Sequence, residues 1–197
     1  MASVTEAEFV LSASAASQLP PDAIPHVAMV GRSNVGKSTL INALVKRKMA
    51  RTSAKPGKTR LLNAYRIRTS NGMHFMLVDL PGYGYAGRQE NDFDALVSGY
   101  FEMRRTRPEP TLALMAVDAR HPGLATDIAT RGWLDTAGVV TATVVTKLDK
   151  LSGGERARHL KQFAASFEGP LVAVSAERGE GLDTLWILIR KLLFPLS

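Results

Sequence analysis

Short apolar runs alternate along the chain with longer segments in which apolar residues return every three or four positions. That alternation predicts βα units wound around a mostly parallel sheet. Residues 26–30, behind Pro25, have buried-strand character, and residues 37–46 follow as a helix. Residues 61–69 and 73–80 read as two strands, and the Asn71-Gly72 pair between them is a hairpin signal. A hairpin there places one antiparallel strand in an otherwise parallel sheet. A helix over about 92–105 is stopped by Pro108 and Pro110, then come a strand over 111–117 and a helix over 124–137 closed by Gly138. Residues 139–145 form a β-branched strand, and helices over 152–167 and 182–193 flank a strand over 171–174. Leu182, Leu185, Trp186, Ile189 and Leu193 make one apolar stripe on the last helix, suited to packing on a sheet. The expected fold is a three-layer α/β/α domain with a mostly parallel sheet and one antiparallel strand. With no repeat and no low-complexity linker, residues 25–197 read as a single domain, and residues 1–24 as an extension packed on it.

Gly31-Arg32-Ser33-Asn34-Val35-Gly36-Lys37-Ser38 fits the pattern G-x-x-x-x-G-K-[ST], and Thr39 continues it into the helix. A bare match arises by chance, but this one follows an apolar strand and opens a helix. Glycines let the backbone curl until its N–H groups face a phosphate, and the helix N-terminus adds positive potential. Lys37 would then bridge β- and γ-phosphates, and the Ser38 hydroxyl would ligate Mg²⁺. Asp79-Leu80-Pro81-Gly82 ends the third strand. An Asp there can hold a Mg²⁺ water, and the Gly82 N–H can sense a γ-phosphate.

Thr146-Lys147-Leu148-Asp149 follows another apolar strand and names the base. The Asp149 carboxylate offers two acceptors to the N1–H and 2-amino donors of guanine, which adenine lacks. The Lys147 stem can lie along the base. Many GTPases carry Asn where this chain has Thr146, so one supporting hydrogen bond differs. Val174-Ser175-Ala176 sits where a backbone N–H can reach guanine O6. The run Leu151-Ser152-Gly153-Gly154-Glu155 resembles an ABC-type ATPase signature, but no apolar strand ending in Asp-Glu follows it, and Ser152 reads better as a helix cap.

Composition narrows the picture further. The 197 residues include no cysteine, which removes thiolate zinc sites, disulfides and a cysteine nucleophile. No stretch approaches the ~18 consecutive apolar residues of a membrane span. The N-terminus has no basic residue before its apolar part, so a cytoplasmic protein is expected. Histidines 26, 74, 121 and 159 show no metal spacing. The net charge is +7, and nine basic residues (Lys46, Arg47, Lys48, Arg51, Lys55, Lys58, Arg60, Arg66, Arg68) fall in one segment without Asp or Glu. Such a segment either attracts polyanions or forms a solvated face with a few phosphate contacts.

The P-loop, Thr52-Ser53 with Pro56-Gly57-Lys58-Thr59, Thr146-Lys147-Leu148-Asp149-Lys150 and, most specifically, Asp79-Leu80-Pro81-Gly82-Tyr83-Gly84-Tyr85-Ala86 make one motif set. That set resembles the EngB (YihA/YsxC) ribosome-biogenesis GTPases, of the TRAFAC class, and so implies a Ras-like P-loop NTPase fold. The resemblance covers the chain from about Phe9 to the last helix. It implies that Gly57, Lys58 and Thr59 belong to a switch I at the nucleotide, with Thr59 binding Mg²⁺ when GTP is present. It also implies a role in large ribosomal subunit assembly and normal division or septation, with the basic segment facing rRNA. A Ras-like Gln position is occupied by Tyr83, a poor water-positioning group, so slow hydrolysis served by Lys37, Thr59 and Gly82 is expected. Tyr83 and Tyr85 either stack on RNA bases or pack within switch II. Asn34 either braces the P-loop or ligates K⁺; hydrolysis rates in KCl and NaCl distinguish the two. A monomer is expected. The competing reading is a non-hydrolysing, nucleotide-dependent docking module for a protein partner in division.

Overall fold

The structure, a computed structural model, describes residues 3–50, 61–83 and 90–194, with side chains described outside 90–94. Among the described residues seven strands form one sheet: β1 (Val4–Ala13), β2 (His26–Gly31), β3 (Leu62–Thr69), β4 (His74–Asp79), β5 (Thr111–Asp118), β6 (Val140–Thr146) and β7 (Leu171–Ala173). Their order is β1-β3-β4-β2-β5-β6-β7. Only β3 runs against the rest, antiparallel to both β1 and β4. Five α-helices of the described residues cover the sheet: α1 (Lys37–Val45), α2 (Glu90–Arg105), α3 (Ala125–Thr136), α4 (Gly153–Ser166) and α5 (Leu182–Leu193).

Alternating side chains of each strand feed two cores, which is why the strands read as continuous apolar runs. Val27 and Met29 of β2, with Leu112 and Leu114 of β5, pack under α1 and α5. Ala28 and Val30, with Ala113, Met115 and Val117, pack under α2, α3 and α4. The α5 stripe behaves as expected, with Leu185, Trp186, Ile189 and Leu193 buried on the sheet. Ser152 caps α4 in a reciprocal box with Glu155, the structural role the sequence suggested for it.

The hairpin forms one residue longer than an Asn-Gly turn. Gly72 N–H donates to the Thr69 carbonyl at 3.1 Å, so Ser70 and Asn71 are the turn's central residues. Gly72 takes the left-handed position at φ 82. The apolar pattern marks no element before His26, yet β1 is a ten-residue edge strand. Its Glu6 and Glu8 face Arg68 and Arg66 of β3, and Asp22 reaches Arg66 at 2.5 Å.

Candidate functional site

All the parallel strands end along one edge of the sheet, where α/β proteins place their ligands. The loop after β2 curls there. Gly31 has φ 154, and a Cβ on it would lie 2.7 Å from the Ala116 carbonyl, so the strand leaves β5 with no room for a side chain. Asn34 and Gly36 are left-handed, at φ 62 and 109. Among the described residues no side chain caps α1, which leaves its first N–H groups available to an anion. Val35 is buried and anchors the loop, while Asn34 and Thr39 are exposed.

Lys37 lies under this loop, 8% exposed, and its Nζ donates to the carbonyls of Gly31 (2.9 Å) and Arg32 (3.3 Å). Burial lowers its pKa, and the Asp79 carboxylate opposes that shift. Asp79 closes β4 with 2% exposure, and the Ser38 hydroxyl donates to its Oδ2 at 3.4 Å. Burial pushes the Asp79 pKa up to about 6, against the pull of Lys37 and Ser38. Its other oxygen, Oδ1, is buried without a hydrogen-bond partner among the described residues. Leu80, Pro81 and Gly82 follow, all buried. Gly82 presses on the P-loop: a Cβ there would lie 2.7 Å from Ser33 N and 2.9 Å from Ser33 Cα.

The elements expected to read the base sit beside the loop. Thr146 Oγ1 lies 2.7 Å from the Val35 carbonyl and 3.0 Å from that of Val117, so its proton ties the P-loop to the end of β6. Lys147, left-handed at φ 58, sends Nζ to the Asn34 carbonyl at 2.6 Å. Leu148 is buried and donates its N–H to the Val174 carbonyl at 3.1 Å. Asp149 receives the Ser175 hydroxyl on Oδ1 at 2.7 Å and Lys150 Nζ near Oδ2 at 3.1 Å. Burial would raise the Asp149 pKa, but these two partners hold it below the usual carboxylate range. Ser175 is fully buried and accepts the Arg178 N–H at 3.2 Å, which turns its proton toward Asp149. Ala176 follows at the rim.

Gly57, Lys58, Thr59 and Tyr85 lie outside the described residues. Two carboxylates escaped the sequence reading. Asp118 ends β5 opposite Thr146, receives Arg120 through Nε (2.9 Å) and Nη2 (2.7 Å), and lies 2.9 Å from Lys147 Nζ. Burial would raise its pKa, but these hydrogen bonds hold it well below the usual range. Asp127 of α3 accepts the Tyr83 hydroxyl at 2.9 Å. Tyr83 is thus buried against α3, an environment that suits packing rather than stacking on a base. Among the described residues no group of three or more His, Cys, Asp or Glu stands close enough to hold a metal.

The family model described as "50S ribosome-binding GTPase" matches residues 26–147. The chain is similar to the probable GTP-binding protein EngB of Heliobacterium modesticaldum, 42% identical over 94% of this chain and 91% of that one. The EngB of Pelotomaculum thermopropionicum is 41% identical, over 92% of each. Among solved structures, Aquifex aeolicus Era bound to GDP·AlF₄⁻ matches with a TM-score of 0.72 and 24% identity, over 87% of this chain and 57% of that one. A crystal structure of a probable EngB matches with a TM-score of 0.62 and 24% identity, over 85% of this chain and 98% of that one. Geometry and relatives thus agree, and the chain belongs to the EngB family of GTP-binding proteins and is a GTPase.

Proposed function

We propose that this GTPase acts as a slow nucleotide switch in large ribosomal subunit assembly, in the cytoplasm and as a monomer, with effects on division and septation following from that role. The observation that carries the nucleotide half is the Asp149 carboxylate, fixed by Ser175 at the same sheet edge as the P-loop. Its two oxygens meet the N1–H and 2-amino groups of guanine, and a Val174–Ala176 backbone N–H meets O6. The amides of residues 31–39 cradle the phosphates, Lys37 bridges β and γ, and the Gly82 N–H meets γ.

The donor set suits Mg²⁺. The bare Oδ1 of Asp79 and the Ser38 hydroxyl beside it are hard oxygen ligands, and a cation there would satisfy a buried carboxylate oxygen. Ser38, Asp79 and Thr59 would hold it, and it would supply charge neutralisation at the phosphates. Tyr83, engaged with Asp127, is in no position to orient water, which supports slow hydrolysis without a partner. Asn34 braces the loop through its backbone carbonyl, which accepts Lys147 Nζ at 2.6 Å, and its exposed side-chain oxygen is the group K⁺ would use.

Asp118 holds the Lys147 ammonium, and through it the stem that lies along the base. An Asp118→Ala variant should bind GDP about 10- to 150-fold more weakly, as expected for a charge-assisted hydrogen bond of about 1.5–3 kcal/mol. Fluorescent GDP dissociation measures this, and an unchanged off-rate would refute it.

The family model's description names 50S ribosome binding, which supports the ribosome half. So do Lys46, Arg47 and Lys48, exposed past the end of α1 and in no ion pair with a described residue. Arg66 and Arg68 drop out of the proposed rRNA face, because Glu8, Asp22 and Glu6 neutralise them. Co-sedimentation with large subunits should occur with a non-hydrolysable GTP analogue and not with GDP. It should weaken steeply with salt and on Lys46→Glu with Lys48→Glu. Pelleting that ignores the nucleotide would sink the switch.

A further inference from the structure

One carboxylate from outside the nucleotide motifs joins two of them. Asp127, in the first turn of α3, is 1% exposed. Its Oδ1 accepts the Tyr83 hydroxyl at 2.9 Å and lies 3.2 Å from Nε of Arg32. Arg32 is the second residue of the P-loop, and Tyr83 immediately follows Gly82. The same two loops are bridged through their backbones: Ser33 N–H donates to the Tyr83 carbonyl at 3.0 Å, beside a parallel bridge between Arg32 and Tyr83. Gly82 packs so closely on Ser33 that a methyl group would not fit between them.

Stability alone gives little reason for this carboxylate. Its Oδ2 is buried with no hydrogen-bond partner among the described residues, and burial raises its pKa despite Tyr83 and Arg32. An apolar side chain in such a place is often no less stable, whereas a buried ionic contact serves better to fix one arrangement over others. What it fixes here is the distance between the D-x-x-G loop and the P-loop.

We propose that Asp127 is a positioning residue that fastens the D-x-x-G loop to the P-loop through Tyr83 and Arg32, and so sets how much more tightly the protein holds guanosine triphosphate than diphosphate. This rests on the assignment of the Gly82 N–H to the γ-phosphate. With the latch closed, that N–H is held beside the loop before nucleotide arrives, so triphosphate need not order it on binding. Diphosphate carries no γ-phosphate and draws nothing from the latch. Asp127 and Tyr83 touch neither nucleotide; they act through Gly82.

The test separates the two contacts. Tyr83→Phe removes the phenol and keeps the Arg32 pair. Asp127→Asn keeps an acceptor for Tyr83 and removes the charge opposite Arg32. Each is measured on the full chain for affinity toward GDP and toward a non-hydrolysable GTP analogue, with thermal unfolding as a check on folding. Each variant should weaken the analogue three- to tenfold and leave GDP within twofold, and the double variant should lose less than the product of the two. Equal losses for both nucleotides, no loss, or a gain for the analogue would each overturn the latch. Gly82→Ala separates the failures: if it too keeps the triphosphate preference, the assignment of Gly82 is at fault. If it alone loses that preference, only the latch falls.

Discussion

An Asp149→Asn variant is expected to lose GDP affinity by two to three orders of magnitude and to accept xanthosine diphosphate in its place. On the proposed reading the wild-type carboxylate would present two acceptors to two guanine donors, each a charge-assisted hydrogen bond of about 1.5–3 kcal/mol. The substitution removes the charge and sets a carboxamide N–H₂ against one of those donors. Together these come to about 3–4 kcal/mol, which is roughly a 10²- to 10³-fold change in affinity. The orientation of the new side chain follows from its surroundings. Ser175 Oγ accepts from Arg178 and so must donate its own proton to Oδ1, which keeps an oxygen at that position and puts the amide nitrogen at the other. Xanthine retains N1–H and has a carbonyl where guanine has its 2-amino group, so it matches an acceptor–donor pair. Competition of fluorescent GDP by GDP, xanthosine diphosphate and ADP measures the exchange. A variant that still prefers GDP would show that Asp149 does not read the base.

The parts of this site legible in the sequence are those whose chemistry is local. A P-loop is a contiguous strand, turn and helix, and residues 31–39 declare it by glycine placement and the Lys37-Ser38 pair. Asp149 was legible because the run Thr146 to Asp149 stands at and just past the end of a β-branched strand. Asp118 and Asp127 are single carboxylates whose partners come from distant segments: Lys147 lies 29 residues beyond Asp118, and Tyr83 lies 44 before Asp127. One signal was present, since Asp118 ends an apolar run at the same sheet edge as Asp79. Strand β1 escaped for a related reason. Its Glu6, Glu8 and exposed Phe9 blur the apolar pattern, and only pairing with β3 some 60 residues away gives those charges partners. The same pairing explains why a run of nine basic residues overstated the free positive surface.

His26 gives the other large expected effect, on stability. It opens β2, the strand that delivers the P-loop, and is 2% exposed, with Nδ1 3.0 Å from the hydroxyl of the fully buried Tyr100 in α2. Burial, with Arg104 and Arg107 nearby, lowers its pKa to about 3. The unfolded chain takes up a proton near 6.5, whereas the native chain resists it down to about 3. A base with a depressed native pKa therefore contributes stability that is complete above pH 6.5 and is lost as the pH falls toward 3. By pH 5 the loss amounts to about 2 kcal/mol, and it deepens further below. His26→Asn places an acceptor oxygen near the position of Nδ1, keeps Tyr100 partnered and cannot titrate. It leaves a small void, so at pH 8 the variant should be less stable than wild type by about 1 kcal/mol. Between pH 8 and pH 5 wild type should lose about 2 kcal/mol more than the variant does, so the two stabilities converge or cross. Urea unfolding of both proteins without nucleotide at pH 8, 6.5 and 5 reads this directly. If both lose the same amount on acidification, the acid sensitivity lies elsewhere and the buried imidazole is not its source. If they converge, the strand that carries the P-loop and the helix that follows the D-x-x-G loop are joined at their far ends by a contact that holds only while His26 is neutral.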